Sequence, residues 1–270
     1  MKTLDDLVII VKGGGDLATG VSWRLHQCGF KVLVTEIAQP LAVRRKVSFS
    51  EAVYDGATVV EDVKALLIQS PAEAKGIWEQ NHVPVLVDPS CRCRNEIKPA
   101  ALIDATLAKK NLGTSINDAP LVIALGPGFE AGIDAHFIVE TNRGHRLGRL
   151  LLTGTAEPDT GVPGTVMGHA SERVIRACAD GMWESSLDIG DTVRKGDLVG
   201  AVDGKPVRAS IDGIIRGLIH TGIEVGEGLK IGDIDPRPRR ENCFTISEKG
   251  LAIAGGVLEG ILRTYRCSGS

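Results

Sequence analysis

The stretch from Val8 to Gly20, VIIVKGGGDLATG, constrains the fold of this chain more than any other. The apolar run Leu7 to Val11 reads as a buried strand, and Gly13, Gly14 and Gly15 follow it as a turn. Leu17, Ala18, Val21, Leu25 and Cys28 then recur with helical spacing, and a second apolar run, Lys31 to Thr35, ends on Glu36. Strand, glycine turn, helix, strand and terminal acid is the order of a dinucleotide-binding βαβ unit. Gly13 suits a tight turn, Gly15 lets backbone approach a pyrophosphate, and the small Ala18 lets the helix pack close to its strand. Asp16 opens a helix whose first N–H groups face an anion. A carboxylate at Glu36 would accept hydrogen bonds from ribose hydroxyls and repel a 2′-phosphate, so NAD or a related nucleotide is expected over an NADP-like one.

Downstream, VPVLVD ending at Asp88, AALID ending at Asp104 and LVIAL ending at Gly126 read as further strands. None alternates with polar residues, as expected of strands covered on both faces of a parallel sheet. Ligands of such sheets bind beyond the strands' carboxyl ends. Gly13, Gly14, Gly15, Asp16, Ala18, Glu36, Asp104, Gly126 and Gly128 are therefore the expected binding residues, with Asp88 a weaker candidate. Lys109, Lys110 and Asn111 could bring positive charge to the same edge. Between these strands, SFSEAVYDG reads as a short helix ending at Gly56 with Ser50 as cap, Thr58 to Val60 as a strand and Val63 to Gln69 as a helix. Arg44, Arg45 and Lys46 are close enough in sequence to reach a nucleotide phosphate, although a solvated helix face is the simpler reading.

The second half changes character. FIVETNRGHRLGRLLLTG reads as a hairpin, and TAEPDTGVPGTVMG as a Gly- and Pro-rich linker flanked by His145 and His169. Residues 176 to 232 then contain a repeat at an offset of thirty-two: Arg176-Ala177 recurs as Arg208-Ala209, Asp180-Gly181 as Asp212-Gly213, and Gly190, Val193 and Gly196 as Gly222, Val225 and Gly228. Two strand–Asp-Gly–strand units imply two similar half-sheets with pseudo-twofold symmetry. This part resembles the barrel-sandwich hybrid of biotinyl and lipoyl carrier domains. Lys205 lacks the methionine frame of a carrier lysine and reads as an ordinary turn residue. Leu251, Ala254, Val257, Leu258, Ile261 and Leu262 mark a C-terminal helix capped by Ser247, expected to pack on the sheet.

The expected class is thus α/β: a Rossmann-like, mostly parallel sheet domain (1–141), a hairpin and linker (142–172), a small β module built from the repeat (173–236) and a C-terminal helical segment (237–270). The net charge of −3 and only 4% aromatic residues give no nucleic-acid footprint. No apolar stretch has the length of a membrane span, and the N-terminus lacks the pattern of a signal peptide, so a cytoplasmic protein is expected. The six cysteines do not form a disulfide scaffold. Cys91-x-Cys93 has no second pair to complete a zinc site, with Cys178, Cys243 and Cys267 far off in sequence, and reads as two loop cysteines; a redox or sulfur-handling role stays open because Arg92 and Arg94 would favour thiolates. No metal site is expected.

KGGGDLATG (12–20), VSFSEAVYDG (47–56), AKKNLGT (108–114), LGPGF (125–129), ETNRGHRLGR (140–149), AEPDTGVPG (156–164) and KIGDIDPR (230–237) together resemble the YqeB-like family. These are accessory proteins of selenium-dependent molybdenum hydroxylase systems. The resemblance implies a role in maturing the labile selenium-containing molybdenum centre, with a molybdenum hydroxylase as client and the molybdenum cofactor or a selenium species as cargo. It carries over no catalytic residue. Read from its residues alone, the chain is also compatible with an NAD-dependent oxidoreductase using His145 or His169, with a non-enzymatic docking scaffold, and with homo-oligomerisation.

Overall fold

A computed structural model describes residues 4–266, which form two compact units. Cys267 lies outside the described residues. The first unit comprises 1–40, 48–159 and 246–270, and the second 41–47 and 160–245. The stretch 142–172, expected as a linker, divides between them. No helix of the described residues is long and apolar enough to cross a membrane.

The first unit is a mixed α/β structure with a large, mostly parallel sheet and a C-terminal helix. Its strands are β1 (Val8–Lys12), β2 (Lys31–Glu36), β3 (Ala57–Val60), β4 (Val63–Ile68), β5 (Val83–Val87), β6 (Ala101–Asp104), β7 (Leu121–Leu125), β8 (Glu130–Ala131), β9 (Phe137–Val139), β10 (Leu150–Leu151) and β11 (Gly154–Thr155). Nine of them form one sheet in the order β10-β9-β7-β6-β1-β2-β5-β4-β3. The interior pairs are parallel, and only the edge strands β10 and β3 run antiparallel. Continuous apolar runs account for this: Ile9, Ile10, Val11, Leu33, Val34, Ile103 and all of β7 are buried, as strands covered on both faces must be.

Helix α1 (Asp16–Gln27) crosses from β1 to β2, and the last helix of the unit spans Glu248–Arg266. These two pack against each other at Gly20 and Gly250, where a Cβ on Gly20 would lie 3.2 Å from the Gly250 Cα. Ser247 caps the last helix by accepting the Gly250 N–H at 3.3 Å. Its buried face differs from the apolar expectation. Ile253, Ala254, Val257 and Ile261 are buried together with Gly250, Gly256 and Gly260, while Leu251, Leu258 and Leu262 are only half-buried. Close backbone approach, rather than leucine volume, defines the contact.

Two local expectations need correction. The helix expected over Val63 to Gln69 is instead the strand β4, Val63–Ile68. V-K-A places Val63 and Ala65 inward and Lys64 outward, and the two-residue turn Glu61-Asp62, with Glu61 at φ +53°, closes a hairpin with β3. Ser50 is no cap: the helical turn begins at Phe49, after Ser48, and ends at Gly56 with φ +75°.

The second unit carries β12 (Val174–Arg176), β13 (Gly181–Glu184), β14 (Thr192–Val193), β15 (Leu198–Val202), β16 (Lys205–Arg208), β17 (Gly213–Leu218), β18 (Ile223–Val225) and β19 (Lys230–Asp235). They form two antiparallel four-stranded sheets, β12-β19-β17-β14 and β16-β15-β13-β18. Shifting the first order by thirty-two residues reproduces the second, and each sheet contains strands of both repeat copies. The hydrogen bonds follow the same rule. Ala177 donates to the Leu229 carbonyl and accepts from the Gly228 N–H, both at 2.9 Å, while Ala209 donates to the Asp197 carbonyl at 2.9 Å and accepts from Gly196 at 2.8 Å. Asp180 accepts from the Glu227 N–H and Asp212 from the Lys195 N–H, each at 2.7 Å.

Arg44, Arg45 and Lys46 belong to this unit and are consumed in it. Arg44 donates to the carbonyls of Asn242 (2.8 Å) and Thr245 (3.1 Å), Arg45 to the Leu218 carbonyl (3.0 Å) and Asp188, and Lys46 lies 3.2 Å from Asp188.

The glycine contacts of the last helix give a paired expectation. A Cβ on Gly256 would sit 2.2 Å from the Gly148 carbonyl oxygen, whereas one on Gly255 would meet open space. We expect Gly256→Ala to lower unfolding free energy by about 1–3 kcal/mol through overpacking, and Gly255→Ala to leave it unchanged or raise it by up to about 1 kcal/mol through helix propensity. Urea denaturation of the two variants distinguishes these signs.

Candidate functional site at the carboxyl ends of the parallel strands

Because the interior strands are parallel, Lys12, Glu36, Asp88, Asp104, Gly126 and Glu140 all fall at one edge of the sheet or just beyond it. From β1 the chain crosses through α1 to β2 on one side, whereas from β6 it crosses to β7 on the other. The crossovers therefore diverge between β1 and β6, which is where open α/β sheets form a binding crevice.

The glycine turn leaves β1 at this point. Gly13, at φ +102°, donates its N–H to the Thr35 carbonyl at 2.8 Å, and a Cβ there would lie 3.0 Å from the Ala105 carbonyl oxygen. Only glycine fits both the dihedral and that approach. Gly14 donates its N–H to Glu36 Oε2 at 2.8 Å, and its carbonyl accepts from the Ser50 N–H at 2.9 Å and the Thr19 hydroxyl at 3.1 Å. Thr19 Oγ1 in turn accepts the Phe49 N–H at 2.8 Å, so residues 48–50 are stitched onto the turn. Gly15 is the N-cap of α1 without a side-chain cap, and the space where its Cβ would point is open. Asp16 starts the helix, and Ala18 is fully buried.

Glu36 is thus already engaged within the protein, since Oε1 also accepts its neighbour's Ile37 N–H at 2.8 Å. Burial pushes this carboxyl above the ordinary range, against the opposing effect of the two N–H donors. Each oxygen keeps a lone pair for a further donor such as a ribose hydroxyl. The Ser50 hydroxyl, buried beside the turn, has no hydrogen-bond partner.

A buried ion pair joins the two diverging strands. Lys12 Nζ lies 3.5 Å from Asp104 Oδ2 and donates to Thr114 Oγ1 at 2.9 Å, and the Thr114 hydroxyl donates to Asp104 Oδ2 at 2.5 Å. Asp104 Oδ1 accepts from the Thr106 N–H at 3.1 Å and its hydroxyl at 2.7 Å. Lys12, Asp104 and Thr114 are all buried. Asn111 holds Thr114 in place, accepting the Gly113 and Thr114 N–H groups at 2.8 Å each and donating to the Thr114 carbonyl at 2.8 Å. Asp104, expected to face a ligand, instead spends its oxygens on Lys12, Thr106 and Thr114. The pair lies where the crossovers from β1 and β6 diverge.

The remaining candidates lie beside this centre. Gly126 (φ +76°) packs against Thr141 Oγ1 and Gly128 (φ +103°) against the Lys110 backbone, so both glycines accommodate the protein's own chain. Lys109 pairs with Asp159. Glu140, buried, accepts the N–H groups of Asn142 (2.7 Å) and Glu157 (2.8 Å) and so ties together the two loops beyond β9 and β11. Lys249, at the start of the last helix, has its ammonium pushed to lower pKa by burial, with Asp16 opposing and Arg143 adding to that effect. His145 lines a small cavity of about 220 Å³ with Asn142, Arg143, Arg146 and Glu157, whereas His169 belongs to the other unit. Sequence reasoning missed Lys12, Thr114, Glu140 and Lys249. For Lys12 the signal was available: a lysine ending an apolar strand directly before a glycine turn.

Two expectations follow. Asp104→Ala leaves Lys12 buried without a counter-charge and should cost about 3–5 kcal/mol of stability, whereas Lys12→Met with Asp104→Leu should cost much less, as read by chemical denaturation. The Glu36 carboxyl is raised in the fold, so its folded state retains a proton that the unfolded chain has lost. Its contribution is fullest below the ordinary carboxyl range and declines as pH rises from that range through the raised value, so Glu36→Gln should flatten the stability profile across that window.

No family model matches the chain. The uncharacterized protein YqeB of Escherichia coli K12 is 46% identical over 255 residues, covering 94% of this chain and 47% of that protein. The chain thus spans about half the length of this curated relative. Among solved structures, an aspartoacylase family protein from Mesorhizobium loti aligns at 13% identity over 86% of both chains with a TM-score of 0.30. TcdA (CsdL) aligns at 13% identity over 97% of this chain and 89% of its own, with a TM-score of 0.34. At these scores neither likeness bears on fold or function. Over 94% of its own length the chain is thus similar to one part of YqeB.

Proposed function

We propose that the chain is an accessory protein in the maturation of a selenium-dependent molybdenum hydroxylase and binds NAD or a related nucleotide at its glycine turn. The observation that carries the nucleotide half is the position of Gly13–Gly15 where the crossovers from β1 and β6 diverge. Three features fit a phosphate-bearing nucleotide there. The space over Gly15 at the helix start is open, Glu36 keeps lone pairs for ribose hydroxyls, and the buried Ser50 hydroxyl beside the turn lacks a partner. This part of the chain is read as Rossmann-like.

The maturation half rests on the family resemblance. The molybdenum cofactor or a selenium species enters the reading only through it, and no residue of this chain is assigned to hold either. The second unit is read as a barrel-sandwich hybrid, on the strength of its interlocked repeat copies. Lys205 opens β16 and is paired with Val202 of β15, which favours a docking surface for the client hydroxylase over a swinging arm.

Calorimetric titration with NAD, NADH, ATP and CTP tests the nucleotide half. We expect at least one to bind, and Gly15→Val, whose Cβ meets nothing within 4 Å, to weaken that binding by tenfold or more, about 1.4 kcal/mol. Absence of binding by all four overturns it.

A further inference from the structure

The loop after β5 holds a second constellation that the nucleotide reading does not use. Asp88 follows β5 directly and organises the segment Asp88-Pro-Ser-Cys-Arg-Cys-Arg. Its carbonyl accepts the Cys91 N–H at 2.9 Å, and its carboxylate accepts the Cys93 N–H at 2.8 Å. Arg94 clamps the loop from the other side, donating to the Cys91 carbonyl at 2.8 Å and the Ser90 carbonyl at 3.2 Å while it pairs with Asp118 at 3.1 Å. Cys91 is held at φ +50°, a left-handed conformation uncommon for a non-glycine residue. Both sulfurs are buried, yet Cys93 borders an open cleft of about 450 Å³ with Asp88, Ser90, Arg92, Gln69 and Glu96.

We propose that Cys91 and Cys93 form a redox-active dithiol that exchanges with low-molecular-weight disulfides entering this cleft. The two thiols differ in character. The neighbouring Cys93 lowers the Cys91 thiol, despite burial and Asp88, whereas Cys91 and burial push Cys93 up. The pair therefore holds one proton more tightly than the other, and the first proton it loses leaves from Cys91. As a disulfide R–S–S–R approaches, Cys93 passes its proton to Cys91 and attacks. A Cys93–S–R bond forms, the R–S–S–R bond breaks, and the departing RS⁻ takes the proton from Cys91. The Cys91 thiolate then attacks Cys93 Sγ, forming the Cys91–Cys93 disulfide and expelling a second RS⁻, which is protonated by solvent. Counted from the fully protonated pair, the chain gives up two electrons and two protons, the first from Cys91 to solvent and the second to the departing RS⁻, and one R–S–S–R becomes two RSH.

Oxidised glutathione is the probe, with acid quenching, alkylation and mass spectrometry of the peptide spanning 88–94 in the full folded chain. The expected products are a Cys91–Cys93 disulfide in the wild type and a mixed disulfide trapped at Cys93 in Cys91→Ser. We expect the pair to react at least about tenfold faster than the exposed Cys28 and Cys178. Both thiols remaining free, or glutathione appearing only at Cys28 or Cys178, overturns the proposal. The wild-type reaction decides the matter even if Cys91→Ser fails to fold.

Discussion

The ion pair between Lys12 and Asp104 is the interaction on which the first unit depends. It links the ends of adjacent parallel strands from which the chain departs in opposite directions. Charges placed there without partners would be unsustainable in a closed interior, so the loop after β6 must fold over them. Asn111 and Thr114 accomplish that, and the same closure fixes the Ala105 carbonyl against which Gly13 is fitted. Strand ends, glycine turn and covering loop therefore form one device.

This arrangement changes the meaning of the polar residues at the strand ends. Glu36 holds the turn through Gly14, Asp104 neutralises Lys12, and Asp88 organises the cysteine loop. Each acid first satisfies its own backbone or a buried cation. What is left facing outward is backbone: the open start of α1 at Gly15. In the proposed nucleotide reading, recognition at this edge rests on N–H groups and shape more than on free carboxylates.

Much of the sheet was legible because its strands are unbroken apolar runs, and LVIAL coincides with β7. Val63 to Gln69 was misread because V-K-A-L-L-I satisfies both helical and strand periodicity over so short a span, and only its hairpin partner decides between them. The thirty-two-residue repeat was visible through its Asp-Gly turns. That each sheet would draw strands from both copies was not, since the offset is the same whether the copies fold side by side or interlock. Within the site, the glycine turn and Glu36 announced themselves through local spacing. Lys12 did not reveal its role because its partner Asp104 lies ninety-two positions away, and no local pattern encodes such a pairing.

The contact of Gly20 with Gly250 joins the earliest helix of the first unit to its last. On the ribosome these two segments emerge far apart in time, with the whole of 160–245 synthesised between them. The interlocked repeat has all its long-range partners once 245 has emerged, while the sheet still lacks the helix that covers α1. The second unit is therefore complete first, and α1 gains its cover only once the helix Glu248–Arg266 has emerged.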